Sequence, residues 1–169
     1  MKKTFLSVAL ILILSLCACN TQPASSQTIK FGDMTAENVV DLLNSKVEEA
    51  DNLFIVGMNK PDDDDYSDVG VTPYMELNFK ENSEGTLDEC RLYWFEGGND
   101  EETGYSSGFY TAILTAAFVP DIQEDIAESI QTGTSMSWNS NDTVVKFVTS
   151  AAGANYLTFM TEEQYQNTQ

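Results

Sequence analysis

The chain of 169 residues contains no histidine, and this absence excludes much of the chemistry that a domain of this size could perform. The serine hydrolase triads need an imidazole to accept the proton of the nucleophile, and histidine is the commonest metal ligand. Of the three cysteines only Cys90 lies beyond residue 19, so neither a cysteine metal site nor an intradomain disulfide is expected. We therefore predict a protein that is not an enzyme and that needs no cofactor.

Basic residues are scarce as well, with 8 Lys and Arg against 27 Asp and Glu and a net charge of −19. Each phosphate contact to a nucleic acid needs a Lys or Arg, so we predict no nucleic-acid partner. The hydrophobic fraction of 42% argues against a disordered acidic tail. The excess of carboxylates leaves two alternative functions open: an acidic calcium-binding domain, and an unrecognised carbohydrate-active enzyme, since glycosidases use paired carboxylates.

The N-terminal segment has the layout of a secretory signal. Lys2 and Lys3 precede a nearly unbroken apolar run over residues 5–16, which is shorter than the roughly 20 residues that span a bilayer. Leu16-Cys17-Ala18-Cys19 closes the run and resembles the lipobox of bacterial lipoproteins. The resemblance implies that Cys19 is lipidated after cleavage behind Ala18, and that the domain is exported and anchored to a bacterial membrane, facing outside the cytoplasm.

Three segments follow from this interpretation. Residues 1–18 are the signal peptide, and residues 19–28 are the lipidated cysteine with a Ser-rich flexible tether. Residues 29–169 are long enough for one acidic domain with its own core, and hardly for two.

The spacing of apolar residues beyond the tether predicts an α+β domain. Helices are predicted over residues 35–45, 106–119 and 120–132, and strands over residues 53–58, 74–80, 87–95, 136–138, 144–149 and 156–160. The order α-β-β-β-α-α-β-β-β predicts a single antiparallel sheet of five to six strands with helices packed on one face. Residues 61–70 are predicted to form a solvated loop, and the tail from Thr161 is expected to fray.

One segment matches a catalytic motif in its sequence but not in its context. Gly104-Tyr105-Ser106-Ser107-Gly108 matches the G-x-S-x-G pattern that places a serine nucleophile between a strand and a helix. No histidine exists to activate the serine, and an acidic segment precedes the motif in place of a strand. We interpret the serines as the N-cap of the following helix, and no catalytic residue is predicted.

An acidic run provides the candidate metal ligands, which are Asp62, Asp63, Asp64, Asp65 and Asp68. A calcium loop of the EF-hand type that started at Asp65 would place Val69 at a ligand position, and valine cannot bind the ion. A solvated loop is the simpler interpretation of the run.

Aromatic residues provide the candidate binding face, which comprises Tyr74, Tyr93, Phe95 and Trp138. Strand residues alternate between faces, so either Leu92 and Trp94 or Tyr93 and Phe95 lie in the core, and the sequence leaves this choice open. The leading prediction is a non-enzymatic, membrane-tethered binding or interaction module. Its partner would be a protein, a peptide, a carbohydrate or a second copy in a homodimer.

Overall fold

The computed structural model describes residues 29–49, 67–72, 75–95 and 100–169. Six strands form one antiparallel sheet: β1 (Ser67–Thr72), β2 (Met75–Glu81), β3 (Leu87–Phe95), β4 (Met136–Ser140), β5 (Thr143–Thr149) and β6 (Ala154–Thr161). Four α-helices accompany it: α1 (Ala36–Glu49), α2 (Asp100–Phe118), α3 (Gln123–Thr132) and α4 (Glu162–Asn167). The sheet order is β1-β2-β3-β6-β5-β4. The predicted α+β class, the single antiparallel sheet and the order of elements are confirmed.

One face of the sheet forms the floor of the core. In register, Leu77 of β2 lies opposite Leu92 of β3, which lies opposite Leu157 of β6, and Leu157 lies opposite Phe147 of β5. All four side chains are buried. Because the side-chain period of a strand is two, this row settles the question that the sequence leaves open: Leu92 and Trp94 belong to the core.

Three helices cover this face of the sheet, each over a different strand. α1 contacts β2, α2 contacts β3, and α3 contacts β5. α2 is buried around most of its circumference from Ser107 onward, as expected of a helix that is apolar on nearly every side. Before α1, Phe31 closes one end of the core, its ring centroid 5.2 Å from that of Phe118 and 6.4 Å from that of Phe159.

Two predicted boundaries are wrong, one at the acidic run and one at the start of α2. β1 occupies part of the predicted loop over residues 61–70, because Val69 pairs with Leu77 and the chain adds an edge strand to β2. The predicted strand over residues 53–58 lies outside the described residues. α2 begins at Asp100 and not at a serine cap, so the helix includes the whole of Gly104-Tyr105-Ser106-Ser107-Gly108.

The C-terminal tail does not fray at Thr161 as expected. The Thr161 hydroxyl accepts a hydrogen bond from the backbone N–H of Gln164 at 3.2 Å and so caps α4. The predicted end of α3 is confirmed at Gly133, whose φ of 65° is the left-handed conformation that glycine adopts without strain. Within the ranges given above, no helix has the length and apolar character that a membrane crossing requires.

Candidate functional site

The sheet surface that turns away from α1, α2 and α3 is the candidate site, and we call it the open face. Its residues are Glu76, Asn78, Arg91, Tyr93, Phe95, Lys146, Val148, Tyr156 and Thr158. Alternation along each strand brings them to this side, since their immediate neighbours in sequence are the residues of the core floor. Thr158 is buried, Lys146 is exposed, and the other side chains are partly exposed.

Two tyrosines occupy the centre of the open face. Tyr93 of β3 and Tyr156 of β6 are cross-strand partners, and their ring centroids lie 5.1 Å apart with an interplanar angle of 38°. Cross-strand aromatic pairs of this kind stabilise a sheet by roughly 0.2–1 kcal/mol. Phe95 lies two residues further along β3 on the same face, so three aromatic rings share one partly exposed surface.

A polar row runs beside the tyrosines. Arg91, Thr158 and Lys146 are register partners across β3, β6 and β5. They lie two residues from the tyrosine row, a distance of about 7 Å along a strand. The Arg91 guanidinium, with its side chain 35% exposed, is ion-paired with Glu89, whose side chain is only 3% exposed. Because that carboxylate is buried and neutralised, it adds little negative charge to the surface.

Helix α4 closes one end of the open face. Glu89, Met160 and Val144 form the next row across β3, β6 and β5, and all three are buried. α4 contacts these three strands. Asn139, which the register places beside Val144, donates to Glu162 at the start of α4 at 3.4 Å. The tyrosine row therefore lies on a surface with a wall at one end.

The basic residues of the chain are distributed unevenly. Beyond residue 19 the sequence has six, which are Lys30, Lys46, Lys60, Lys80, Arg91 and Lys146. The register places the last three on the same side of the sheet: Lys80 opposite Glu89, and Arg91 and Lys146 on either side of Thr158. Glu76 lies next to Tyr93 on β2, where its carboxylate accepts a hydrogen bond from Asn78. Glu76 therefore lies toward the β2 side of the tyrosine row, and Lys146 lies toward its β5 side.

The predicted aromatic face is corrected in one member. Tyr93 and Phe95 lie on the open face, but Trp138 pairs with Val145 and packs partly buried against the core. Alternation along β4 places Trp138 on the same side of the sheet as Ser140. Ser140 is buried on the core side, where its hydroxyl donates a hydrogen bond to Asp121. Tyr74 lies outside the described residues.

Three members of the open face, Tyr156, Arg91 and Lys146, were not predicted as site residues from the sequence. All three lie in segments that were predicted as strands, so their alternation was visible in the sequence. What the sequence lacked was the pairing of β3 with β6, which joins residues more than 60 positions apart, as Tyr93 and Tyr156 show.

Of the five candidate metal ligands, the structure describes the position of Asp68 alone. Asp68 lies on β1 opposite Asn78, while the other four candidates, residues 62–65, are outside the described ranges, as is Cys19. No group of three or more potential ligands occurs among the described side chains.

The G-x-S-x-G motif lies within α2, where Ser107 is buried. A nucleophile elbow needs a turn between a strand and a helix, and the continuous helix from Asp100 provides none. Cys90 is fully buried on the core floor, and burial, together with the neighbouring Glu89, raises the pKa of its thiol far above the ordinary value. A thiol in this state is a packing group.

Comparison with protein-family models, with curated proteins and with solved structures gives no match for this chain.

Proposed function

We propose that this protein is an extracytoplasmic lipoprotein that binds a ligand on the open face of its sheet, and that it has no catalytic activity. The observation that supports the proposal best is the Tyr93–Tyr156 pair, which lies partly exposed on the side of the sheet away from the core. Contiguous apolar patches on a domain surface mark interaction sites, and the rings of Tyr93, Tyr156 and Phe95 share this side of the sheet.

The composition of the open face supports binding. Tyrosine and arginine are the residues that carry most of the energy at binding surfaces, because they bury large areas and lose little conformational freedom. Here Tyr93 and Tyr156 lie beside Arg91. They belong to β3 and β6, which are interior strands of the sheet, and pairing on both sides holds their backbones rigid. A rigid surface reduces the ordering cost of binding.

The location of the function follows from the lipobox resemblance at Cys19. A diacylated cysteine and a tether over residues 19–28 would hold the domain close to a membrane but free to reorient. We propose that the ligand is therefore a component of the cell envelope or its surroundings.

Sedimentation with isolated cell envelopes tests the proposal. Residues 20–169, which lack both the apolar run over residues 5–16 and the lipidated Cys19, should still sediment with envelopes from the source cells. Adding Tyr93→Ala and Tyr156→Ala should abolish the sedimentation, while adding Tyr165→Ala on α4 should not. Equal sedimentation of the Tyr93 and Tyr156 double variant and of the Tyr165 variant would contradict the proposal, as would failure of residues 20–169 to sediment.

A further inference from the structure

The two edges of the sheet differ in how well they are protected against pairing with another chain. β1 forms one edge and β4 forms the other. The register of β1 against β2 shifts between Gly70 and Thr72, and β1 carries Asp68; bulges and charges of this kind protect an edge. β4 pairs with β5 in unbroken register and contains no proline and no charged residue. Of these two edges, β4 is therefore the one that can accept a further strand.

The backbone groups that β4 directs away from the sheet are those of Ser137 and Asn139. The turn between β4 and β5 has two residues in the left-handed conformation, so Ser140 and Thr143 on either side of it form a hydrogen-bonded pair. Bonded pairs alternate along an antiparallel ladder, so the N–H and C=O groups of Ser137 and Asn139 point away from β5. In the part of the chain that the structure describes, no strand pairs with them on that side.

The exposed chain that leads into β4 is neutral. Residues 129–141 contain no Asp, Glu, Lys or Arg, although the chain has a net charge of −19, and residues 131–137 are all exposed. Met136, within this stretch, is 47% exposed despite its large apolar side chain. Two copies of so acidic a chain repel each other wherever their carboxylates meet. A contact between copies is therefore favoured at a neutral exposed edge such as β4.

We propose that β4 pairs in antiparallel orientation with β4 of a second copy, so that the two sheets join into one. The register that overlaps the whole strand places Trp138 opposite Trp138 of the second copy, and Ser137 opposite Asn139 of the second copy. Ser137 and Asn139 then form bonded pairs, each of which exchanges both N–H···O bonds. A symmetric dimer needs a self-complementary surface, and an antiparallel edge is one. This inference concerns a different surface from the tyrosine pair and does not rest on the proposed function.

The side chains on the core side of β4 suit this register. Trp138 is partly exposed in the single chain and packs against the margin of the core. At the centre of the paired strands the two Trp138 residues form the more closely spaced, non-bonded pair. Met136 of each copy is then a diagonal neighbour of Trp138 of the other, within reach of its ring. Pairing therefore covers the exposed apolar surface of both residues.

On the other side of the sheet, the same register brings opposite charges of the two copies together. Lys146 is the register partner of Ser137, and the side-chain amide of Asn139 donates a hydrogen bond to Glu162 at 3.4 Å. Lys146 therefore lies in one cross-strand row with Asn139 of the second copy, two strand spacings or about 10 Å away between backbones. Its extended side chain points attractive charge at Glu162 of the second copy. The two-fold axis repeats this contact.

A second copy fits the edge better than a flexible peptide does. β4 has five residues and offers few backbone hydrogen bonds, and a flexible peptide would lose conformational freedom to form them. The edge of a second copy is already held extended by β5. Anchoring through Cys19, as proposed above, would also raise the effective concentration of one copy near another.

Sedimentation equilibrium of residues 20–169, which contain every described element of the fold, tests the inference without the lipid. We expect a dimer at about 100 µM. Ser137→Glu should weaken dimerisation at least about tenfold, because it adds a carboxylate near Glu162 of the second copy. Ser137→Thr is the matched control, since it is neutral and suits a strand, and it should dimerise like the wild type. Adding Asn139→Lys to Ser137→Glu should restore the dimer, because the register places the two substituted positions opposite each other.

Every result of this experiment supports or overturns the inference. A wild type that is monomeric at about 100 µM would overturn it. A dimer that survives Ser137→Glu would show that another surface forms it, and failure of the double variant to recover the dimer would contradict the register. A dimer that appears only after residues 20–28 are removed would assign the edge to the tether instead. Circular dichroism establishes that each variant is folded.

Discussion

Arg91 and Glu89 lie two residues apart on β3 and form an ion pair in which the carboxylate is buried and the guanidinium reaches solvent. Glu89 depends on the pair more than Arg91 does, because hydrogen bonds must replace the hydration that its buried carboxylate has lost. The pair therefore fixes the position of Arg91 at the border between the α4 wall and the open face.

We expect Glu89→Gln to lower the free energy of unfolding by about 1–2 kcal/mol, the range for hydrogen bonds to a charged group after allowance for the partly exposed Arg91. Glu84→Gln, in the exposed turn between β2 and β3, makes the same chemical change and should leave stability unaltered. Urea unfolding measures both. Equal stability of the two variants would show that the pair contributes nothing.

The two faces of β3 should respond differently to the same substitutions. Tyr93→Ser with Phe95→Ser should cost about 1–2 kcal/mol, from lost strand propensity and partial burial, and the protein should remain folded. Leu92→Ser with Trp94→Ser should prevent folding, because Leu92 is fully buried and the Trp94 ring stacks on Phe147 at 6.0 Å. Circular dichroism and urea unfolding distinguish them, and unfolding of the first variant would place Tyr93 and Phe95 in the core.

The burial of Tyr110 predicts that the free energy of unfolding falls at alkaline pH. Its hydroxyl is buried and has no hydrogen-bond partner among the residues that the structure describes, and burial raises the pKa of Tyr110 to about 12 from 10.0. The unfolded chain loses this proton near pH 10 while the folded chain retains it, so stability is lost as pH rises from about 10 to 12. Tyr110→Phe should remove on the order of 2 kcal/mol of this loss. Thermal unfolding across that pH range measures it, and identical profiles for wild type and variant would contradict the assignment.

The anchor is tested by a matched pair of cysteine variants. Cys19→Ala should release the protein from membranes or block its processing, because the lipobox resemblance selects Cys19 as the modified residue. Cys17→Ala should leave anchoring unchanged, since Leu16 precedes Cys17 where a small residue is required. Mass spectrometry of the mature N-terminus provides the measurement. An unmodified Cys19 there would exclude lipidation.

Local patterns were sufficient for much of the fold. The helix predicted over residues 120–132 contains α3, in which Ile126 is fully buried and Ile130 packs against the core. The strands predicted over residues 74–80 and 87–95 correspond to β2 and β3, which pair antiparallel with each other. These elements follow from sequence because their determining contacts are within a few residues of each other.

Elements that depend on distant pairing were not predicted correctly. β1 contains Asp68 and Gly70, which disfavour strands, and it forms because β2 offers an edge to pair with. Trp138 was assigned to the wrong face because only pairing with Val145 fixes the phase of β4. The Tyr93–Tyr156 pair required knowledge that β6 inserts between β3 and β5.

Hydroxyl-radical footprinting of the full chain, with and without cell-envelope material, tests the central claim most directly because it reports each tyrosine separately. We predict that ligand protects Tyr93 and Tyr156 from oxidation, while Tyr165 on α4 is oxidised at an unchanged rate. Protection of Tyr165 alone, or equal oxidation of Tyr93 and Tyr156 in both samples, would contradict the assignment of the open face as the binding site.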